Sequence, residues 1–333
     1  MDRVGADAYV YARACALRSK SWIGPRAKRL LESRRLQDLW TLIYDEPPPM
    51  VPEGLLALLL ERQFEQRVVD QFLNLISVYE RPDPVSVAFL SLYEYNNLKA
   101  ESAALAQGKT ERPFIVDIGE YGLFNHDAWP DLAAITRGTN CAWYNAVPAP
   151  EAHIDWETRL DHEYYRNLWT AVKSLGSQDR AAVEPLVKEE IILQNIVWAL
   201  RLRVYYEMDA ASIATMLALS DEADGAELRR PASAALTRSP DVWSEWADWE
   251  YRWLLNPGEE GIPWNLDPRY AQLQADRKLF RMAQNRFHRN PFTAGVPVAF
   301  FKLKQMEEQM VRVAAEGLRL GATADQIAEI TGD

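Results

Sequence analysis

The chain has 333 residues, 48% of them hydrophobic and 26% charged, and a formal charge of −11; such apolar and aromatic content exceeds that of a disordered chain and suffices for a large core. The negative balance argues against nonspecific binding to nucleic acid or to anionic lipid, both of which would repel it. The longest apolar run, Leu55 to Leu60, is far short of the ~18 residues of a membrane span. The opening MDRVGADAYVYAR carries charges where an export signal needs an apolar stretch, and two cysteines, Cys15 and Cys141, give neither metal spacing nor a disulfide framework, which fits a reducing cytoplasm.

Helical periodicity governs the chain from end to end, predicting an all-α fold. In chain order the helices are expected at Tyr9 to Leu17, Ala27 to Leu42, Leu55 to Tyr79, Ser86 to Leu105, Leu160 to Leu175, Val183 to Met208, Tyr270 to Phe287 and Val296 to Leu320. No pair of alternating strands joined by a two-residue turn is present. The Pro/Gly clusters EPPPMVPEG, NAVPAPEA and NPGEEGIP separate short amphipathic pieces from longer helices.

Those interruptions recur in a common order, which predicts an internal repeat. Each third of the chain begins at an Asp-apolar start, at Asp38, Asp131 and Asp241, passes a Pro-containing break and ends in a long helix. Alignment of the long helices sets Asn97 against Asn195 and then Gln309, with the segments finishing on Ile115, Ile213 and Ile327. Three helical modules, 1–117, 118–216 and 217–333, follow from this reading.

No constellation for catalysis emerges, and the chain is expected to be no enzyme, without cofactor or metal. AALAQGKT, Ala103 to Thr110, fits a loose phosphate-loop pattern, yet it closes a helix, whereas a true loop follows a strand and opens one. Gly108 reads instead as a C-terminal helix cap with positive φ. His153, Asp155, Asp161, His162 and Glu163 bring metal-capable groups close in sequence, but Glu-x-x-His and His-x-x-x-His are both absent, which favours surface histidines. Adjacent Glu189 and Glu190 diverge by about 100° on a helix and are expected to start a solvated face. The aromatic stretch Tyr164, Tyr165, Trp169, Trp198, Tyr205 and Tyr206 reads first as core packing. Arg201 and Arg203, two apart, point to different helix faces, so that one is expected to be free for a partner.

The closing stretch NPFTAGVPVAFFKLKQMEEQMVRVAAEGLRL resembles the C-terminal signature of the C subunits of archaeal and bacterial V-type ATPases, whose eukaryotic counterpart is the d subunit. Tyr9, Tyr11, Arg13 and Arg18 are similar to the family's opening helix. Glu157, Leu160, Asp161, Tyr164 and Tyr165 are similar to a mid-chain element, and Asn195, Leu200 and Arg201 to an Asn-Ile-x-x-x-Leu-Arg helix. The tail departs from the family at Glu308, Gln309 and Met310. The resemblance implies three similar modules around a pseudo-threefold axis, forming a funnel. It also implies a non-catalytic central-stalk adaptor, one copy per complex, coupling the rotor shaft to the membrane proteolipid ring for proton or sodium transport. Such a protein would lie on the cytoplasmic face, held at the membrane by protein partners without inserting. Arg201, Arg203, Asn195 and Tyr165 are the expected partner-interface residues. A helical-repeat scaffold that binds a peptide or helix is the alternative, and an all-α enzyme with an unfamiliar site is a third reading.

Overall fold

The computed structural model describes residues 2–258 and 261–322. Among these the chain forms twelve α-helices and seven short 3-10 helices, and no strand. Helix α1 (Arg3–Arg18) leads through a 3-10 turn to α2 (Ala27–Leu31) and α3 (Leu36–Tyr44). The long helices α4 (Glu53–Ile76) and α5 (Pro84–Ala106) follow, then an extended segment that holds the one-turn helix α6 (Leu132–Ile135). Helices α7 (His153–Ser174) and α8 (Ser177–Tyr205) form the middle of the chain, with α9 (Ala210–Met216) and α10 (Ala226–Leu236) behind them, and α11 (Pro268–Arg289) and α12 (Gly295–Arg319) complete it.

The expected helices are all present, but Ala27 to Leu42 is two helices and not one. In α2 the buried residues are Ala27, Leu30 and Leu31, and in α3 they are Leu36, Leu39, Trp40 and Ile43. At about 100° per residue a continuous helix would place Leu36 about 120° away from Leu30. The break at Arg35, which is extended at φ −141°, resets the phase and lets both helices bury their apolar faces. Of the three Asp-apolar starts only Asp131 is an N-cap, accepting from the Ala134 N–H at 3.0 Å. Asp38 sits inside the first turn of α3, where it pairs with Arg35, and Asp241 precedes a 3-10 turn. Gly108 has φ +70°, and Lys109 N–H donates to Ala104 O behind it, so GKT ends α5 as a glycine cap.

Among the described residues two apolar cores are present, and α12 belongs to both. The larger gathers residues of α5, α7, α8, α10 and α11 with the first half of α12, and the smaller gathers α2, α3 and the first half of α4 with Met310, Val311, Ala314 and Ala315 of α12. Residues 295–304 of α12 are buried without interruption. Phe301 stacks on Phe89 at 5.0 Å and meets Phe72 edge-on at 4.7 Å, geometries that add attraction beyond area burial. Gly295 lets α12 approach α8 closely, since a Cβ there would lie 3.0 Å from the Ala182 Cβ.

Asn97 and Asn195 do the same work in different parts of the fold. Asn97 exchanges two hydrogen bonds with the backbone of Val116, at 2.8 and 2.9 Å. Asn195, fully buried, accepts from Ala218 N–H at 2.7 Å and donates toward Ala218 O and Leu228 O at 3.4 Å. In each case a long helix grips the chain that returns to it. Gln309 departs from the pattern by donating to Asp276 at 3.0 Å, and Ile327, the expected finish of the third copy, lies outside the described residues.

Candidate functional site

A cavity of about 400 Å³ opens where α4, α5, α8, α11 and α12 converge. Its polar wall on α12 is the row Lys302, Gln305, Glu308, Gln309 and Arg312, whose spacing of three, four or seven residues places them on one helix face. The facing walls supply Arg62 and Glu65 from α4, Tyr93 and Asn96 from α5, Glu190 and Gln194 from α8, and Asp276 from α11.

Ion pairs knit these walls together. Arg312 donates to Glu65 at 2.8 Å and to Glu308 at 3.0 Å, with Glu61 at 3.8 Å behind. The other oxygen of Glu65 takes Arg62 at 2.7 Å. Tyr93 donates its hydroxyl to Glu308 at 2.8 Å. Across the cavity Lys302 donates to Glu190 at 2.6 Å and to Gln305 at 2.8 Å, and its ammonium lies 4.2 Å from the Phe89 ring centre. Asp276 receives amide donors from Gln272 and Gln309 on its two oxygens. In and just behind the wall, five carboxylates (Glu61, Glu65, Glu190, Asp276 and Glu308) therefore face three cations (Arg62, Lys302 and Arg312).

Burial, joined by the neighbouring Glu65 carboxylate and opposed by Arg312, pushes Glu308 up to about 7. Burial likewise pushes Glu61 up to about 7 against the pull of Arg312. Asp276 is raised by burial, and Lys302 is lowered by burial in spite of Glu190. One oxygen of Glu190 is buried without any hydrogen-bond donor. A wall of this kind is held by ion pairs, is partly desolvated and carries more carboxylates than cations.

The four residues expected at a partner interface have distinct placements. Asn195 and Tyr165 are buried, Asn195 in its backbone clamp and Tyr165 against Tyr164 and Trp198 at 4.9 and 5.7 Å. Arg203 donates to Ala235 O at 3.2 Å and to Arg238 O, capping the carbonyl end of α10. Arg201 points the other way, into a smaller cavity of about 170 Å³ beside Gln272, Asp276 and Met306, and forms no ion pair among the described residues. The divergence of the two arginines follows from their spacing. Of the aromatic stretch, Tyr164, Tyr165 and Trp169 are core, whereas Tyr205 and Tyr206 are exposed.

Glu189 and Glu190 do not start a solvated face. Glu190 turns into the cavity to meet Lys302, and burial raises Glu189, which faces Tyr251. The metal-capable residues of α7 are spread apart: His162 meets Met216 O at 3.1 Å, Asp161 pairs with Lys99 at 2.6 Å, and His153 sits 3.3 Å from Glu157. No group of three metal ligands occurs among the described residues. Sequence reasoning misplaces Glu190 and passes over Glu61, Glu65 and Asp276, although Lys302 and Lys304 inside the otherwise apolar run AFFKLK are a signal, because a buried lysine demands a partner.

Residues 26–330 match the sequence profile of the ATP synthase (C/AC39) subunit family. An uncharacterized protein of Treponema pallidum (strain Nichols) is 30% identical over 340 residues, covering 100% of this chain and 98% of the relative.

Proposed function

Because the chain belongs to the ATP synthase (C/AC39) subunit family of V-type ATPases, we propose that it is the non-catalytic adaptor of the central stalk, coupling the rotor shaft to the membrane proteolipid ring. In this reading the modules 1–117, 118–216 and 217–333 surround a pseudo-threefold axis, and the foot of the shaft enters between them. The chain serves one complex in a single copy, on the cytoplasmic face, during proton or sodium transport.

The observation that carries the reading is the family match over nearly the whole chain. The physical design supports it. Torque transmission needs a body that does not yield, and helices joined by close-packed aromatics and by ion pairs across several elements resist deformation. The central cavity draws its wall from five helices spread over the sequence, so that a side chain seated in it would engage several parts of the chain at once. No described helix is long and apolar enough to cross a membrane, so contact with the ring is assigned to protein surfaces, with Arg201 and Arg203 as candidate interface residues.

A mild-detergent pull-down of the tagged protein from native membranes, with partners identified by mass spectrometry, tests the proposal. Recovery of catalytic, shaft and proteolipid subunits supports it. Their absence, with intact and abundant bait, refutes it and leaves the helical scaffold.

A further inference from the structure

On the reading that a shaft enters this protein, we infer that the central cavity receives a basic side chain, a lysine or arginine at the shaft's foot, and that Glu190 and Glu308 are the carboxylates it meets.

Charge and hydrogen-bond inventory point the same way. With Glu61 behind it the wall holds five carboxylates to three cations, and five to four once Arg201, whose charge acts on Asp276 from the neighbouring cavity, is counted. Lys302 donates to one oxygen of Glu190 and to Gln305, with its ammonium over the Phe89 ring, and makes no hydrogen bond to Glu190's second oxygen. That second oxygen is buried and lacks a donor, which leaves the Glu190 carboxylate under-compensated and raises the gain from a further positive charge beside it. Glu308 has Tyr93 and Arg312 as donors, but Arg312 is shared with Glu65 and Glu61. An ammonium or guanidinium entering here gains charge-assisted hydrogen bonds in a desolvated site. A phosphate or carboxylate would meet repulsion. At about 400 Å³ the space lies within the ordinary range for a binding pocket, roughly 300–1,000 Å³.

The groups that face Glu308 set its response to pH. They are Arg62, Glu65 and Glu61 on α4, Tyr93 on α5, and Arg312 on its own helix, with Glu190 and Asp276 across the cavity. Burial holds Glu308 up at about 7, and an entering cation favours its ionised form. Binding therefore releases a proton and weakens as pH falls through about 7.

The test uses the full chain and the purified shaft subunits of the same complex, with dissociation constants measured by calorimetry at pH 6, 7 and 8. The expected result is that affinity falls from pH 8 to pH 6, that Glu308→Gln loses this dependence, and that Glu190→Gln weakens binding at pH 8 by about tenfold or more. The pH series on the unaltered chain needs no variant, so a folding defect cannot hide the answer. Equal affinity at every pH and in both variants overturns the basic side chain while leaving the adaptor role standing. Failure of the unaltered chain to bind the shaft at all removes the adaptor role and this inference with it. A control titration with spermidine separates the sources of the cation: spermidine that binds the chain through Glu190 and leaves shaft affinity unchanged assigns the cavity to a free polyamine and overturns the inference.

Discussion

The imidazole of His126 lies 2.8 Å from a carboxylate oxygen of Glu101, a residue with no exposed surface, and its other nitrogen lies 3.4 Å from Glu94. Glu94 in turn accepts the N–H groups of Leu123 and Phe124 at 2.7 and 3.0 Å. The extended segment after α5 is thus fastened to that helix by a buried charge cluster. Burial alone would lower the histidine, but the two carboxylates prevail and raise it to about 9. A histidine raised in the folded state contributes stability that is complete below its unfolded value, about 6.5, and is lost as pH rises through about 9. Urea unfolding at pH 6, 8 and 10 should show a loss on the order of 2–3 kcal/mol across that window, and His126→Gln should flatten it.

Glu308 acts in the same direction at lower pH. A carboxyl whose folded value is raised, here to about 7, contributes stability below its unfolded value that is lost as pH rises through about 7. Glu308→Gln keeps the shape without the charge. Its stability relative to the unaltered chain should improve by about 2 kcal/mol between pH 5 and pH 8, read from thermal melts at both values.

Asn195→Ala removes the acceptor from Ala218 N–H and leaves buried backbone groups unpaired. The expected cost is about 2–4 kcal/mol, from one or two unsatisfied groups. Asn97→Ala should cost a similar amount through Val116. Denaturant titration of both variants checks the equivalence, and a cost below about 0.5 kcal/mol at either position would show that clamp to be dispensable.

Much of the fold is legible in the sequence because long amphipathic helices announce themselves by period, and Gly108 reads as a cap because only the end of a helix explains a glycine there. The short helices α9 and α10 are not, since seven and eleven residues offer too few turns to establish a period against their polar surroundings. The Asn97 and Asn195 correspondence is visible as a shift in sequence, but the backbone atoms they grip are not. The cavity is the least legible part. Its charges come from five helices, and each one, taken within its own helix, looks like part of an ordinary polar face. Glu190 is the clearest instance: only the arrival of Lys302 from the far end of the chain turns it inward.

Gly295→Ala should displace α12 from α8, because the new methyl would press on Ala182 Cβ at 3.0 Å and on Thr293 Oγ1 at 3.1 Å. Overpacking of this kind costs about 1–3 kcal/mol. Combining it with Ala182→Gly should recover part of the loss, and a double-mutant cycle in urea measures the coupling.

Arg203→Ala strips the cap from α10 and should cost about 1–3 kcal/mol of stability, whereas Arg201→Ala should cost less than about 1 kcal/mol. If Arg201 contacts a partner, its loss weakens complex assembly without destabilising the chain. Unfolding curves and co-purification yields, taken on the same two variants, separate the roles.

Helix α12 is common to both apolar cores, and its Glu307 accepts the backbone N–H of Trp22 at 2.7 Å. The first helices to leave the ribosome therefore cannot finish packing until one of the last has been translated. Leu56, Leu60 and Phe64, which share a cluster with α2 and α3, lack their α12 neighbours through the synthesis of more than half the chain. A transcript truncated before Gly295 would yield a product without its keystone, recognisable to chaperones and proteases by that exposed surface. The arrangement ties the packing of the N-terminal helices to the presence of α12.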